Sequence, residues 1–387
     1  MSRVREFWGY IRPDGRVGVC NYVAVIAGMD NANPVARRIS AAVNGTICIA
    51  PSFGRGQIAD DFEQHLRTLE GIGTNPNVAG AVVVSLHAAS ARGIAERIGK
   101  NGKPVEWISL QDVGGTVKAA QLGVSAANKM VTQHSRARRE LVPLSDLVLG
   151  VECGGSDAIS GVSTNPATGI VADWVVEAGG TVILSETVEM IGAEHILARR
   201  AVNKDVGNQI LAATKWYEDY SRQCGIEISQ TNPAPDNIKG GLSTIEEKAL
   251  GAIRKGGSAP VQEVLRYAER PTKKGLVMMD APPPGTENIT GLSGAGCQII
   301  IFTTGVGNPI GSPVSPTIKV TANPRTAVDF ADNIDVDISG ILTGRQRLVE
   351  ASEVLYLAML EVANGRVTTS EALGDTEVAI TRIGFSI

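Results

Sequence analysis

The chain has 387 residues, 43% hydrophobic and 20% charged, with a formal net charge of −4. That length supports one large or two ordinary domains with full cores. The mixed, nearly balanced charge gives no electrostatic case for nucleic acid or an anionic membrane as partner, and no apolar run reaches the roughly 20 residues of a membrane span.

The opening residues, MSRVREFWGYIRPDGR, contain no apolar secretory core. The five cysteines (Cys20, Cys48, Cys153, Cys224, Cys297) are odd in number, widely separated and free of any CxxC pair. A cytoplasmic protein with reduced thiols is expected.

Continuous β-branched runs at 22–27, 46–50, 78–84 and 105–109 read as strands buried on both faces. Amphipathic stretches at 33–43, 57–72, 88–100 and 114–130 lie beside them. The spacing predicts an α/β fold in which residues 1–142 form a parallel, doubly wound, Rossmann-like domain. The basic run at 136–139 reads as the solvated face of a helical segment. A larger α/β domain is expected over 143–387. Its strands are predicted at 146–152, 180–185, 275–280, 297–303 and 317–322. Its helices are predicted at 168–178, 192–223, 244–255 and 258–268. Pro/Gly-rich stretches at 231–241 and 281–286 predict long irregular loops.

Chemistry-bearing residues fall at predicted strand ends, where parallel sheets hold ligands. Cys153 ends one strand and is followed by Gly154-Gly155, which allow close backbone approach, and by Ser156 and Asp157. Both of the last two could equally cap a turn. Arg55 stands between two glycines, suited to a two-pronged grip on an anion. Thr116 follows the polar loop at 112–115, and Lys319 lies in an apolar strand that calls for a partner anion. His87 ends a strand, whereas His65 and His134 read as surface residues. His195 opens a helix amid Glu186, Glu189 and Glu194, a setting for a base or a ligand. The Gly305-Val-Gly307-Asn-Pro-Ile-Gly311 cluster has its third glycine one residue late and prolines where a helix must start, so no nucleotide site is expected.

Five segments now resemble a known family. GYIRPDGRVGVCN (9–21), ECGGSDAISGVSTNP (152–166), GGTVILSETVEMIGAEHIL (179–197), NPAPDNIKGGLSTIEEKALG (232–251) and FTTGVGNPIGSPVSPTIKV (302–320) look like the altronate/galactarate dehydratase family. The resemblance implies a lyase that performs metal-assisted β-elimination on a small anionic 2-hydroxycarboxylate to give a 2-keto acid. It implies a divalent metal, Fe(II) above all, and a small SAF-type domain, here expected on a separate subunit, within a homo-oligomer.

Three positions depart from the sugar-acid branch. Gly54-Arg55 and Leu86-His87-Ala88 stand where Gly-Cys pairs are usual, and Cys20 replaces an arginine. The family also includes a branch that expels sulfite from (2R)-3-sulfolactate, for which an extra arginine is apt. Sulfite elimination is therefore the first expectation, with sugar-acid dehydration the alternative. A nicotinamide-linked oxidoreductase and a non-catalytic subunit are the competing classes. On this reading His195 or Glu194 is the base and Asp157 assists. Cys153 and Glu186 hold the metal. Arg55, Asn21, Thr116, Ser156, Asn165 and Lys319 bind substrate.

Overall fold

The computed structural model describes residues 3–387, and they build three sheets. Strand β1 (Glu6–Ile11) pairs antiparallel with β2 (Val17–Gly18) on one side and β7 (Glu140–Pro143) on the other. This small sheet has no counterpart in the sequence expectations, and β7 begins where a helical segment was expected. β2 is only two residues long and β1 and β7 are largely open to solvent, so no continuous apolar run marks them.

The expected first-half strands are all present: β3 (Tyr22–Ala27), β4 (Thr46–Ile49), β5 (Val78–Ser85) and β6 (Val105–Ser109). They form a parallel sheet of order β4-β3-β5-β6. Every residue of β5 is buried, which explains its unbroken apolar run.

The second parallel sheet has seven strands. Its members are β8 (Val148–Cys153), β9 (Thr181–Leu184), β10 (Val261–Leu265), β11 (Gly275–Met279), β12 (Ile299–Thr303), β13 (Thr317–Thr321) and β14 (Val336–Asp337). The order is β10-β11-β9-β8-β12-β13-β14. The helix expected at 258–268 is strand β10, an edge strand whose middle residues are only half-buried, which gives it a mixed pattern. The helix expected at 192–223 is two, Glu194–Arg199 and Lys204–Gln223, the second capped by the Asn203 side chain. The loop expected at 231–241 holds a short helix, Pro235–Lys239, because proline is well tolerated at a first helical position.

The two parallel sheets share a core. Ile26 and Val83 of the four-stranded sheet belong to one buried cluster with Ile183, Met279 and Phe302 of the seven-stranded one. Helices Ala59–Thr74 and Gly285–Gly294 cross within it. A Cβ on Gly71 would lie 2.2 Å from the Gly294 carbonyl oxygen, so only glycine permits that contact. The Asn77 amide adds hydrogen bonds to the Gln298 and Val314 carbonyls, both at 2.9 Å.

Candidate active site at the carboxyl edge of the large sheet

In the large sheet the chain leaves β8 toward β9 and leaves the adjacent β12 toward β13, on opposite sides. This is the switch point at which parallel α/β sheets place ligands. Two loops meet there, 153–157 and 304–308. Gly154 N–H donates to the Thr303 carbonyl (3.1 Å), and Gly305 and Val306 N–H donate to the Gly155 carbonyl (3.0 and 2.9 Å). The Gly154-Gly155 pair thus serves loop-on-loop packing: a Cβ on Gly154 would strike the Phe302 ring at 2.6 Å.

Beneath and beside these loops lies a buried set of acids and amines. Cys153 and Glu186 come together as expected. The Cys153 N–H donates to Glu186 Oε2 at 3.0 Å, and its thiol donates to Glu186 Oε1 at 3.3 Å. Lys255 Nζ donates to the same Glu186 Oε2 at 2.5 Å, and both side chains are 1% exposed. Burial pushes the Glu186 carboxyl up, with Lys255 opposing. Burial would lower Lys255, but the surrounding acidic groups, Glu186 in direct contact, outweigh it and hold the ammonium form. Burial, then Glu186, pushes the Cys153 thiol up, so it stays protonated. Glu186 also has φ of +68°, a left-handed conformation that costs a non-glycine residue on the order of 1–3 kcal/mol.

Lys255 reaches this place because the turn Ile253–Gly256 lies hard against helix Thr164–Glu177. Gly169 allows it: a Cβ there would sit 2.0 Å from the Arg254 carbonyl oxygen. Next to this pair, Lys248 Nζ bonds Glu189 Oε1 at 3.0 Å and the Asn232 and Asn237 amide oxygens at 2.7 and 2.9 Å. Glu189 Oε2 and the Asn232 amide nitrogen are buried without partners.

Across the sheet, Glu152, Phe302 and Lys319 are in register on β8, β12 and β13. All three are fully buried. Glu152 Oε2 accepts from the Asn288 amide, and Oε1 has no partner. Burial, then Glu186, pushes the Glu152 carboxyl well up. Lys319 Nζ has no hydrogen-bond partner and lies 4.0 Å from the Phe302 ring centre.

Other expected site residues are placed differently. Asp157 is occupied internally: Oδ1 accepts the Ser160 N–H (2.8 Å) and hydroxyl (2.7 Å), and Oδ2 accepts the Asn323 amide (2.9 Å). Asn165 bridges the Thr303 hydroxyl (2.7 Å) and the Gly251 carbonyl (3.2 Å). Ser156 is buried at the start of the same turn, its carbonyl accepting from Asn237 at 3.0 Å. His195 is exposed on helix Glu194–Arg199 and lines a surface groove with Arg199, Lys204 and Asn208. Glu194 folds back to accept the Gly192 N–H at 2.5 Å. The structure does not bring these two into hydrogen-bond contact with Cys153, Glu186 or Lys255.

Arg55 and Thr116 follow β4 and β6 of the smaller sheet; Arg55 is exposed and Thr116 half-buried. Asn21 precedes β3 at that sheet's opposite end, tied to Arg12 (2.8 Å) and the His134 carbonyl (2.9 Å). His87 caps helix Ala88–Gly99, whereas His65, expected at the surface, is 1% exposed against the Gly28 carbonyl. Lys248, Lys255, Glu152 and Asn288 were not singled out. Lys248 lies inside the 232–251 motif, so its signal was present, but Lys255 is marked only by its position in space.

A divalent metal is the cofactor that the family resemblance implies, and the residues present do not fit it as arranged. Among the described residues no three His, Cys, Asp or Glu side chains gather into a metal-ligand cluster. Lys255 holds the Glu186 oxygen that would face a metal, and two cations there would repel. A separate cavity of about 1080 Å³ is walled by Arg67, Tyr267, Arg270 and Asp280, and Asp280 accepts the Thr187 hydroxyl at 2.7 Å.

Two family models cover the chain. Residues 144–386 match the D-galactarate/altronate dehydratase C-terminal domain, and residues 9–135 match the D-galactarate dehydratase/altronate hydrolase second domain. The chain belongs to the galactarate/altronate dehydratase family. Within it, the chain is 39% identical over 383 residues to the (2R)-sulfolactate sulfo-lyase subunit beta of Chromohalobacter salexigens, covering 98% of both. It is 33% identical to the altronate dehydratase of Bacillus subtilis, covering 99% of this chain and 79% of that one. It is 36% identical to the galactarate dehydratase (L-threo-forming) of Escherichia coli over 79% of this chain and 60% of that one. These family members are sulfo-lyase and hydro-lyase enzymes, and this chain is a lyase of the same family. No helix among the described residues is long and apolar enough to cross a membrane.

Proposed function

We propose that this chain is the catalytic subunit of a lyase that converts (2R)-3-sulfolactate to pyruvate and sulfite. The observation that carries the reading is the 39% identity to a sulfo-lyase beta subunit across 98% of both chains. A partner subunit follows from that relative's designation as a subunit, and we assign it the small SAF-type chain. The altronate and galactarate dehydratases, at 33% and 36% identity, support sugar-acid dehydration as the second reading.

Both reactions begin at the carbon bearing the hydroxyl, whose proton is weakly acidic beside a carboxylate. The charge that develops as it leaves must be met by fixed positive groups. The buried Lys255 and Lys248, each paired with a glutamate at the edge of the large sheet, are the groups we assign to this role once substrate displaces part of that pairing. Sulfite departs as a stable anion; hydroxide needs a proton as it leaves.

The test is product analysis on the purified chain with its small partner. Sulfite and pyruvate should appear from sulfolactate in equal amounts. Keto acid from altronate or galactarate, without sulfite from sulfolactate, would transfer the assignment to the dehydratases.

A further inference from the structure

Lys319 is an amine in an enclosed place with nothing to bond. It is 0% exposed, on the third residue of β13, and its Nζ has no hydrogen-bond partner among the described residues. The acids that face it are engaged elsewhere or offer one free atom. Asp335 accepts the Lys319 backbone N–H (2.8 Å), the Thr369 N–H (2.8 Å) and the Thr369 hydroxyl (3.2 Å). Asp375 holds the Asn333 amide at 3.1 Å. Glu152, in register two strands away, gives one oxygen to Asn288 and leaves the other unpaired. Among the described residues only the Phe302 ring, at 4.0 Å, faces the Nζ atom favourably.

An ammonium ion enclosed without hydrogen bonds is strongly penalised, and a cation–π contact returns only part of that penalty. A neutral amine in the same place costs far less. Placement adds to this: the row runs across β8, β12 and β13 at the switch point, where the 153–157 and 304–308 loops interlock.

We propose that Lys319 is the general base of the elimination, a neutral amine that removes the proton from the hydroxyl-bearing carbon when the two loops part to admit substrate. The assignment rests on the lyase reading above. The amine lone pair forms an N–H bond with the C2 proton. The C2–H electrons become the C2=C3 double bond, and the C3–S pair leaves with sulfite. The enol then gains the ammonium's proton at C3 and gives up its O–H proton to the departed sulfite, yielding the 2-keto acid and restoring the amine. Burial, against the opposing pull of Asp335, Glu152 and Asp375, lowers the Lys319 ammonium to about 7, so the base is available at neutral pH.

The test separates a base from a positive anchor. Lys319→Arg keeps the charge but cannot give it up, so an anchor would survive it. With sulfolactate and sugar acids assayed in parallel, kcat of the wild type should rise through an acid limb near 7. Lys319→Arg and Lys319→Met should both lose at least about a hundredfold. A Lys319→Arg enzyme within about tenfold of wild type would overturn the base assignment while leaving the lyase reading intact. A wild type that turns over neither substrate class overturns the lyase reading and the base with it. NMR titration of ¹³C-lysine-labelled wild type covers the case of unfolded variants. One side chain should titrate near 7, and a lysine set titrating entirely above about 9 would overturn the proposal.

Discussion

Lys255 Nζ lies 2.5 Å from Glu186 Oε2, with both side chains 1% exposed. Breaking a buried pair of this kind by removing one partner leaves a stranded charge, at a cost of about 3–5 kcal/mol. Lys255→Met should therefore lower the urea midpoint sharply. The double variant Lys255→Met/Glu186→Gln should recover part of the loss. A double variant no better than the single one would show that the pair is not coupled.

Cys153 is held as a thiol under the loops, whereas Cys224 is exposed. An aromatic disulfide reagent should label Cys224 at once and Cys153 and Cys297 only after unfolding. Rapid native labelling of Cys153, mapped by mass spectrometry, would contradict the described burial.

Lys319 ties stability to pH with a definite sign. Its folded-state value, about 7, lies below the ordinary 10.5, so the unfolded chain binds more protons between them. The penalty is complete below pH 7 and is relieved as the pH rises toward 10.5. Lys319→Met should stabilise the fold by roughly 1–3 kcal/mol at about pH 6 and progressively less above neutrality, read by denaturant melts. A gain independent of pH would mean that the folded-state amine titrates as it does in the unfolded chain.

Gly169 sets the approach of helix Thr164–Glu177 to the turn carrying Lys255. Gly169→Ala must push that turn away from backbone, since the clash is with the Arg254 carbonyl. A loss of roughly 1–3 kcal/mol is expected, with kcat falling further than in a surface control such as Gly93→Ala, where a Cβ meets nothing.

The Cys153–Glu186–Lys255 group satisfies its own charges, so chelation should leave the melting temperature unchanged. A drop of several degrees on treatment with EDTA, reversed by Fe(II), would show that these residues open to bind metal.

The parallel strands were legible because burial on both faces forces continuous apolar runs, as in 78–84 and 297–303. Strand β10 was not, since an edge strand half open to solvent loses that signature and reads as a helix. Cys153 and Glu186 were legible because each stands at or just beyond a strand's carboxyl end. Lys255 was not: it is 69 residues from Glu186, and the packing of its turn, against Gly169 on one side and Leu184 on the other, brings them together. His195 drew notice through its glutamate neighbours along the chain, yet its helix turns it to the surface. Arg55 is exposed on a loop of the other sheet.

The most direct test of the central claim is kcat/KM for (2R)-3-sulfolactate against altronate and galactarate. All three are measured on one preparation of the chain with its small partner subunit. The account predicts sulfite release with sulfolactate preferred by at least about a hundredfold, the discrimination that a site built for one polar group achieves. Turnover of a sugar acid at equal or higher kcat/KM would contradict it.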